Sequence, residues 1–150
     1  MHLKIPPVIQ LLIAVVLIYL LNRWMPLVRL TVPASETLGS ATIVTGFLIA
    51  AAGIYQFGRA GTTVDPRHPE KSQQLVNSGI YRYTRNPMYL GMLLVLAGAW
   101  CWFSSVSALA PLPVFVGFIT HYQIKPEEAA LAAHYGQQYN HYQLQVRRWL

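Results

Sequence analysis

The sequence predicts an all-α integral membrane protein: about four transmembrane helices, the third and fourth joined as a helical hairpin, and a cytoplasmic C-terminal helical segment. Three observations predict it. Hydrophobic residues make up 54% of the chain and charged residues only 11%, against about 25% charged in soluble globular domains. Four apolar runs of near-spanning length follow one another. The basic residues behind the net charge of +6 sit in the polar stretches between those runs instead of forming one long basic face. That placement suits lipid headgroups and topology control, and nucleic acid is not expected as a partner. At 150 residues the chain reads as one domain, 1–150. Cys101 is the single cysteine and lies in an apolar run, so no internal disulfide is possible.

The first run, about Pro7 to Met25, follows Met1-His2-Leu3-Lys4. It resembles a signal peptide in its charge pattern. No small-x-small cleavage site follows, and Asn22-Arg23-Trp24-Met25-Pro26 looks like a membrane-interface flank. It is read as the first spanning helix. The second run, about Leu38 to Phe57, carries Gly39, Ala41, Gly46, Ala50 and Gly53. Small residues at such spacings let another helix approach closely, which makes homo-oligomers possible.

The third run goes from near Met88 to near Ser105, and the fourth from about Val106 to Ile124. About 20 helical residues cross a 30 Å hydrocarbon core, so both are slightly short. Ser104-Ser105-Val106-Ser107 leaves room only for a tight turn, which predicts the hairpin. Pro111 and Pro113 either kink the fourth helix or mark its true start. Beyond it, Pro126 fits a first helical turn, with Glu127 and Glu128 where the N-terminal dipole favours acids. Gly136 is placed to end that helix. From Gln137 to Arg148 a second stretch sets Tyr139, Tyr142, Val146 and Trp149 at spacings of three and four, with Tyr135 preceding, the pattern of an interfacial amphipathic helix.

Charge orients the chain. Arg59, Arg67, Lys71, Arg82 and Arg85 lie between runs two and three, and Lys125, Arg147 and Arg148 follow run four. Only Arg23 and Arg29, with Glu36, separate runs one and two. The positive-inside rule then puts both termini and the 58–87 loop in the cytoplasm, with the protein in the cell (inner, cytoplasmic) membrane as a multi-pass chain. The two polar regions share one face and can build one site.

Several groups on that face admit two readings. Glu127-Glu128 is either a solvated helix start or an anion that holds a cationic amine. Arg82, Arg85 and Lys71 serve either topology or capture of a carboxylate or phosphate. Tyr81, Tyr83 and Tyr89 are either interface-belt aromatics or faces for a sulfonium or quaternary amine. Asn86-Pro87 caps and starts the third helix, and that helix start is also a possible anion site. His68, His121, His134 and His141 do not make a metal constellation, and no metal is expected. There is no Walker loop, GxGxxG or G-x-S-x-G elbow.

Taken in order, these elements form a set. It runs Leu75-Val76-x-x-Gly79-x-Tyr81, Arg85-Asn86-Pro87-x-Tyr89-x-Gly91, an apolar hairpin, Glu127-Glu128-x-x-Leu131, Tyr135-Gly136-x-x-Tyr139-x-x-Tyr142, and Val146-x-Arg148-Trp149. The set resembles the isoprenylcysteine carboxyl methyltransferase family and the related phospholipid N-methyltransferases, over about Gly58 to Leu150. Thr62-Thr63-Val64 and Pro66 look like the short prokaryotic-type members. The resemblance implies an integral membrane enzyme that uses S-adenosyl-L-methionine to methylate a lipophilic small molecule or lipid at a carboxylate, amine or thiol.

It also implies a cofactor pocket lined by Leu75, Val76, Tyr81, Asn86, Pro87, Met88, Tyr89 and Glu127, with Gln74 joining them. In that pocket Glu127 or Glu128 pairs with the cofactor amine, and Arg85 and the Asn86-Pro87 helix start receive its carboxylate. Arg85, Asn86 and Glu127 are then the candidate catalytic groups. The sequence departs from the family at two places. Asn86 stands where Arg-His-Pro members have His, and Gln123 stands near an Arg tied to substrate handling in eukaryotic members. These departures leave as alternatives a non-catalytic membrane scaffold binding lipid or a partner, and, more distantly, a nicotinamide-dependent membrane reductase.

Overall fold

A computed structural model describes residues 5–60 and 75–150. Gln74, Lys71, Arg67, His68 and the Thr62–Pro66 region lie outside the described residues. The regular elements among the described residues are all helices, with one isolated bridge, Arg29 to Ser105. In chain order the helices are α1 (Pro7–Trp24), α2 (Ser35–Arg59), α3 (Pro87–Phe103), α4 (Pro111–Ile119), α5 (Lys125–Tyr135) and α6 (Gln137–Gln145). Short 3-10 turns cover Gly79–Arg82 and Ser107–Leu109.

α1 and α2 are long and apolar enough to cross a membrane. Only 17% of each apolar window is buried, so neither is the covered core helix of a soluble protein. Leu12, Ile13 and Val16 on α1 and Val44, Phe47 and Leu48 on α2 all face outward. A helix that is apolar all round and yet uncovered calls for an apolar surrounding.

The core lies between α1, α3 and α4, where Ala14 and Ile18 meet Leu96, Phe115 and Ile119. α2 packs on α3 through glycines at seven-residue spacing. Gly39 and Gly46 of α2 face Gly98 and Gly91 of α3, and Gly53 sits against Pro87 and Met88. The small-residue face of α2 is thus occupied by α3 of the same chain. A Cβ on Gly91 would run into the Gly46 carbonyl and come within 2.9 Å of the Ala50 Cβ. Backbone cannot swing aside as a flexible side chain can. Gly91→Ala is therefore expected to destabilise the protein by about 1–3 kcal/mol. Gly117→Ala, on an open face of α4 with nothing within 4 Å, should be neutral or gain up to about 1 kcal/mol from helix propensity. Denaturant unfolding in detergent checks the pair, and equal effects would refute the packing account.

The connection between α3 and α4 is longer than the tight turn expected: it spans 104–110 and includes the 3-10 turn Ser107–Leu109. Ser104 takes a left-handed conformation (φ 49°) and ends α3. Trp100 Nε1 donates to the Ser105 carbonyl at 2.9 Å. The α1–α2 connector pins the same turn: Leu30 N–H donates to Ser104 O at 2.7 Å, and Val106 N–H to Val28 O at 2.9 Å. The fourth helix starts late, at Pro111.

Two further expectations are corrected here. Pro126 does not begin a separate helix. The backbone stays helical from Pro111 to Tyr135, passing through a widened π turn at Thr120–Ile124. Proline lacks an N–H and its ring crowds the carbonyl four residues back, and the wider turn just before it relieves both problems. Glu127 and Glu128 therefore do not sit at a free helix N-terminus, and the dipole does not explain them. The second correction concerns α6. It ends at Gln145, with Val146 extended, and its aromatic stripe is not a lipid-facing one. Tyr139, Tyr142 and Val146 are buried against Leu75 in a second core. Gly136, in a positive-φ conformation, breaks α5 from α6 as expected.

Candidate active site

The site lies at the end of the fold opposite the hairpin turn. The 75–87 segment, the start of α3, α5 and α6 meet there. α3 begins at Pro87, whose missing N–H costs nothing at a first helical position. That start aims Tyr89 across at α5. Tyr89 is buried, and its hydroxyl donates to Glu127 Oε1 at 2.6 Å. Tyr81 closes the other side: it is buried, stands edge-on to Phe57 at 5.4 Å, and feels the Glu127 charge. Its backbone carbonyl accepts the Tyr142 hydroxyl at 2.7 Å. Burial pushes the Tyr81 and Tyr142 hydroxyls up from their ordinary range, so both stay neutral donors.

The two adjacent carboxylates have different surroundings. Successive residues on a helix point about 100° apart, so Glu127 and Glu128 face different neighbours. Glu128 is 7% exposed. Arg148 grips it bidentately, Nε to Oε1 at 2.9 Å and Nη2 to Oε2 at 2.7 Å. Arg85 Nη1 adds an ion pair at 3.2 Å. Glu127 has the Tyr89 phenol. Loss of water around it raises its pKa from 4.5 to about 7; the Tyr89 hydrogen bond opposes the shift and the neighbouring Glu128 charge adds to it.

Arg85 is nine-tenths buried; its Nη1 is committed to the Glu128 ion pair, while its Nε finds no hydrogen-bond acceptor among the described residues. A buried guanidinium with a donor to spare suits a further anion. Asn86 occupies the N-cap position of α3, yet makes no side-chain cap. Its amide instead donates to the Arg148 carbonyl at 3.0 Å, and its own N–H bonds Thr84 Oγ1 at 3.1 Å. The expected cap is replaced because the 147–149 segment lies against this turn and offers a buried carbonyl.

Of the other expected site residues, Leu75 and Val76 are buried, Leu75 among the α6 tyrosines. Pro87 is buried, and Met88 packs beside Gly53. Gln123 lies apart from the Tyr89–Glu127 pair in its bonding: it donates to the Ile5 carbonyl at 3.1 Å from within the π turn. Two groups carry more than their residue types suggested. Thr84 is 1% exposed and links the 84–86 turn to Arg148 O at 3.3 Å. In the sequence Arg148 counts only as one of the basic residues after run four and as one member of the ordered motif set. An open groove of about 350 Å³ flanks the site, lined by Asn77, Arg82, Tyr142, Gln145 and Val146.

The fold and site define a class: among the described residues, a helical chain with two membrane-length apolar helices, a buried carboxylate–phenol pair, and a buried arginine on the adjacent carboxylate with one donor to spare. A family model for phospholipid methyltransferases matches residues 34–138, more than two thirds of the chain, and the chain belongs to that family. Membership brings methyltransferase activity in general and association with membranes. An uncharacterised protein of Haemophilus influenzae is 36% identical over 63 residues, 42% of this chain and 100% of that protein. No solved structure matches.

Proposed function

We propose that this protein is a multi-pass membrane methyltransferase that uses S-adenosyl-L-methionine and methylates a lipophilic or lipid acceptor at a carboxylate, amine or thiol. The observation that carries the reading is the Tyr89–Glu127 pair, a buried carboxylate with a single phenol partner, one residue along α5 from the Glu128 that buried Arg85 holds, an arginine whose Nε has no acceptor among the described residues. An amino acid headgroup offers the complement of each: an ammonium for Glu127 and a carboxylate for Arg85. The chemistry of the donor set therefore fits this cofactor. When bound, S-adenosylmethionine supplies a methyl group activated by a sulfonium.

The chain's own part is to bind, orient and exclude water. Glu127 holds the amine, and Tyr89 fixes which way the carboxylate faces. Arg85 receives the carboxylate while remaining paired to Glu128. Tyr81, backed by Phe57 and held by Tyr142, presents an aromatic face to a cation. Leu75, Val76, Pro87 and Met88 supply apolar lining, and Gln74 would join from the neighbouring segment. Asn86 holds the turn through Arg148 and can still hydrogen-bond a ligand oxygen. Gln123 stays assigned to the acceptor side. With Glu127, its pKa raised to about 7, committed to the amine, no further side chain among the described residues is assigned as general base, which favours an acceptor that is already nucleophilic. In-line transfer then depends on holding the reacting atoms about 3–3.5 Å apart.

Binding of adenosylhomocysteine to purified protein in detergent, followed by calorimetry, tests the reading. Folded protein that shows no heat of binding would sink it. The same proposal gives four spans, with α3 and the stretch 107–124 each about 26 Å long. It puts the 58–87 loop and residues 125–150 on the cytoplasmic side. A cysteine placed at Tyr83 in a Cys101→Ser background should label with an impermeant maleimide only in inside-out vesicles, and one at Val106 only in right-side-out vesicles. Labelling of both from one side contradicts the arrangement.

A further inference from the structure

Residues 146–149 follow α6, with Val146 extended, and lie across the site. Their contacts reach three elements. Arg147 O accepts the Arg85 N–H at 3.0 Å. Arg148 O accepts the Asn86 amide at 3.0 Å and the Thr84 hydroxyl at 3.3 Å, and the Arg148 guanidinium grips Glu128 on α5. Trp149 Nε1 donates to Thr120 Oγ1 in the π turn at 3.3 Å. One short segment therefore stitches the 84–86 turn, α5 and the π turn together, and residue 138 is where the family match stops.

We propose that Arg148 is a positioning residue of the transfer site: it neutralises Glu128 and ties the 84–86 turn to α5, leaving Glu127 as the anion that faces Tyr89. This rests on the methyl-transfer reading of the same site. The physical reason is the split of the carboxylate pair. Two adjacent unpaired carboxylates in a water-poor site raise each other's proton affinity. Around Glu128 stand Arg85 from the turn, Arg148 from the 146–149 segment and Tyr139 from α6. Around Glu127 stand Tyr89 from α3, Tyr81 from the 3-10 turn and Glu128 itself. Arg85 alone reaches Glu128 through a single 3.2 Å contact, whereas the Arg148 fork occupies both oxygens. Removing the fork exposes Glu127 to more of the Glu128 charge and delays its ionisation.

The test uses ligand-free protein in detergent. The protonated carboxyl stretch of Glu127 is followed by infrared spectroscopy against pH and identified by its loss in Glu127→Gln. Arg148→Gln should raise the midpoint by about one pH unit. Arg148→Lys, which keeps the charge but not the fork, should move it by less than half of that. Arg147→Gln, an equal change in net charge on an exposed side chain, should leave it in place. Arg148 reaches solvent (35% exposed) and Arg85 still partners Glu128 without it, so the glutamine variant is expected to fold. Arg148→Met, which keeps the stem, serves in its stead if it does not. An unmoved midpoint in the uncharged variant, or an equal shift from Arg147→Gln, overturns the proposal. Because no ligand is present, that failure is distinct from a failure of adenosylhomocysteine to bind.

Discussion

Glu127→Gln is expected to lower adenosylhomocysteine affinity by about 10- to 100-fold at pH 7.5, the loss of one charge-assisted hydrogen bond. The same substitution should leave the protein at least as stable as the parent chain. The two effects have one cause. Burial pushes the Glu127 pKa up from 4.5 to about 7, so the fold prefers the neutral carboxyl. The unfolded chain gives up that proton near its ordinary value. The stabilisation tied to neutral Glu127 is therefore whole below about pH 4.5 and is lost as pH rises through about 7.

Binding of a cationic amine follows the opposite course, because it needs the ionised form. Affinity should climb roughly eightfold between pH 6 and 7.5, as the ionised fraction of a group titrating at about 7 does. Glutamine removes both slopes. Calorimetric titrations and thermal scans across that range measure them together. A variant that binds like the parent chain would sink the assignment of Glu127 to the amine.

The largest stability effect is expected at the neighbouring residue. Glu128→Ala should cost about 3–5 kcal/mol, because it strands a buried guanidinium. Arg85 and Glu128 side chains are 10% and 9% exposed, while Arg148 at 35% can turn to water. Arg85 therefore carries most of the penalty. The double replacement Arg85→Met with Glu128→Leu should recover much of the loss, since well-packed apolar groups often replace a buried pair without cost. Denaturant unfolding of the two single variants and the double in one detergent gives the coupling. Additive losses would show that the pair is not a unit. The contrast between Glu127 and Glu128 is then direct: removing one carboxylate affects binding, and removing the other affects folding.

The structure also separates the two departures from the family pattern. Asn86 cannot carry a proton, but its amide bonds the Arg148 carbonyl, so its role as built is to hold the turn. Gln123 faces the α1 N-terminus through the Ile5 carbonyl. Neither contact touches the Tyr89–Glu127 pair.

Much was legible along the chain. Four apolar runs, a turn after the third of them, a helix break at Gly136 and polar segments bearing Arg, Tyr and Glu are all local properties, carried by residue type and spacing. Those properties decided that this is a helical membrane chain with candidate chemistry at one end. Only the tertiary structure decided which carboxylate is free. That depends on where Arg148 returns, twenty residues after Glu128, and on the angle at which α3 presents Tyr89. It also decided that Pro126 widens a helix instead of starting one, and that the tyrosine stripe of α6 meets Leu75 instead of lipid. The physical reason is the same in each case. A helical pattern states which residues share a face, but the neighbour that covers the face is chosen by packing between segments far apart in sequence.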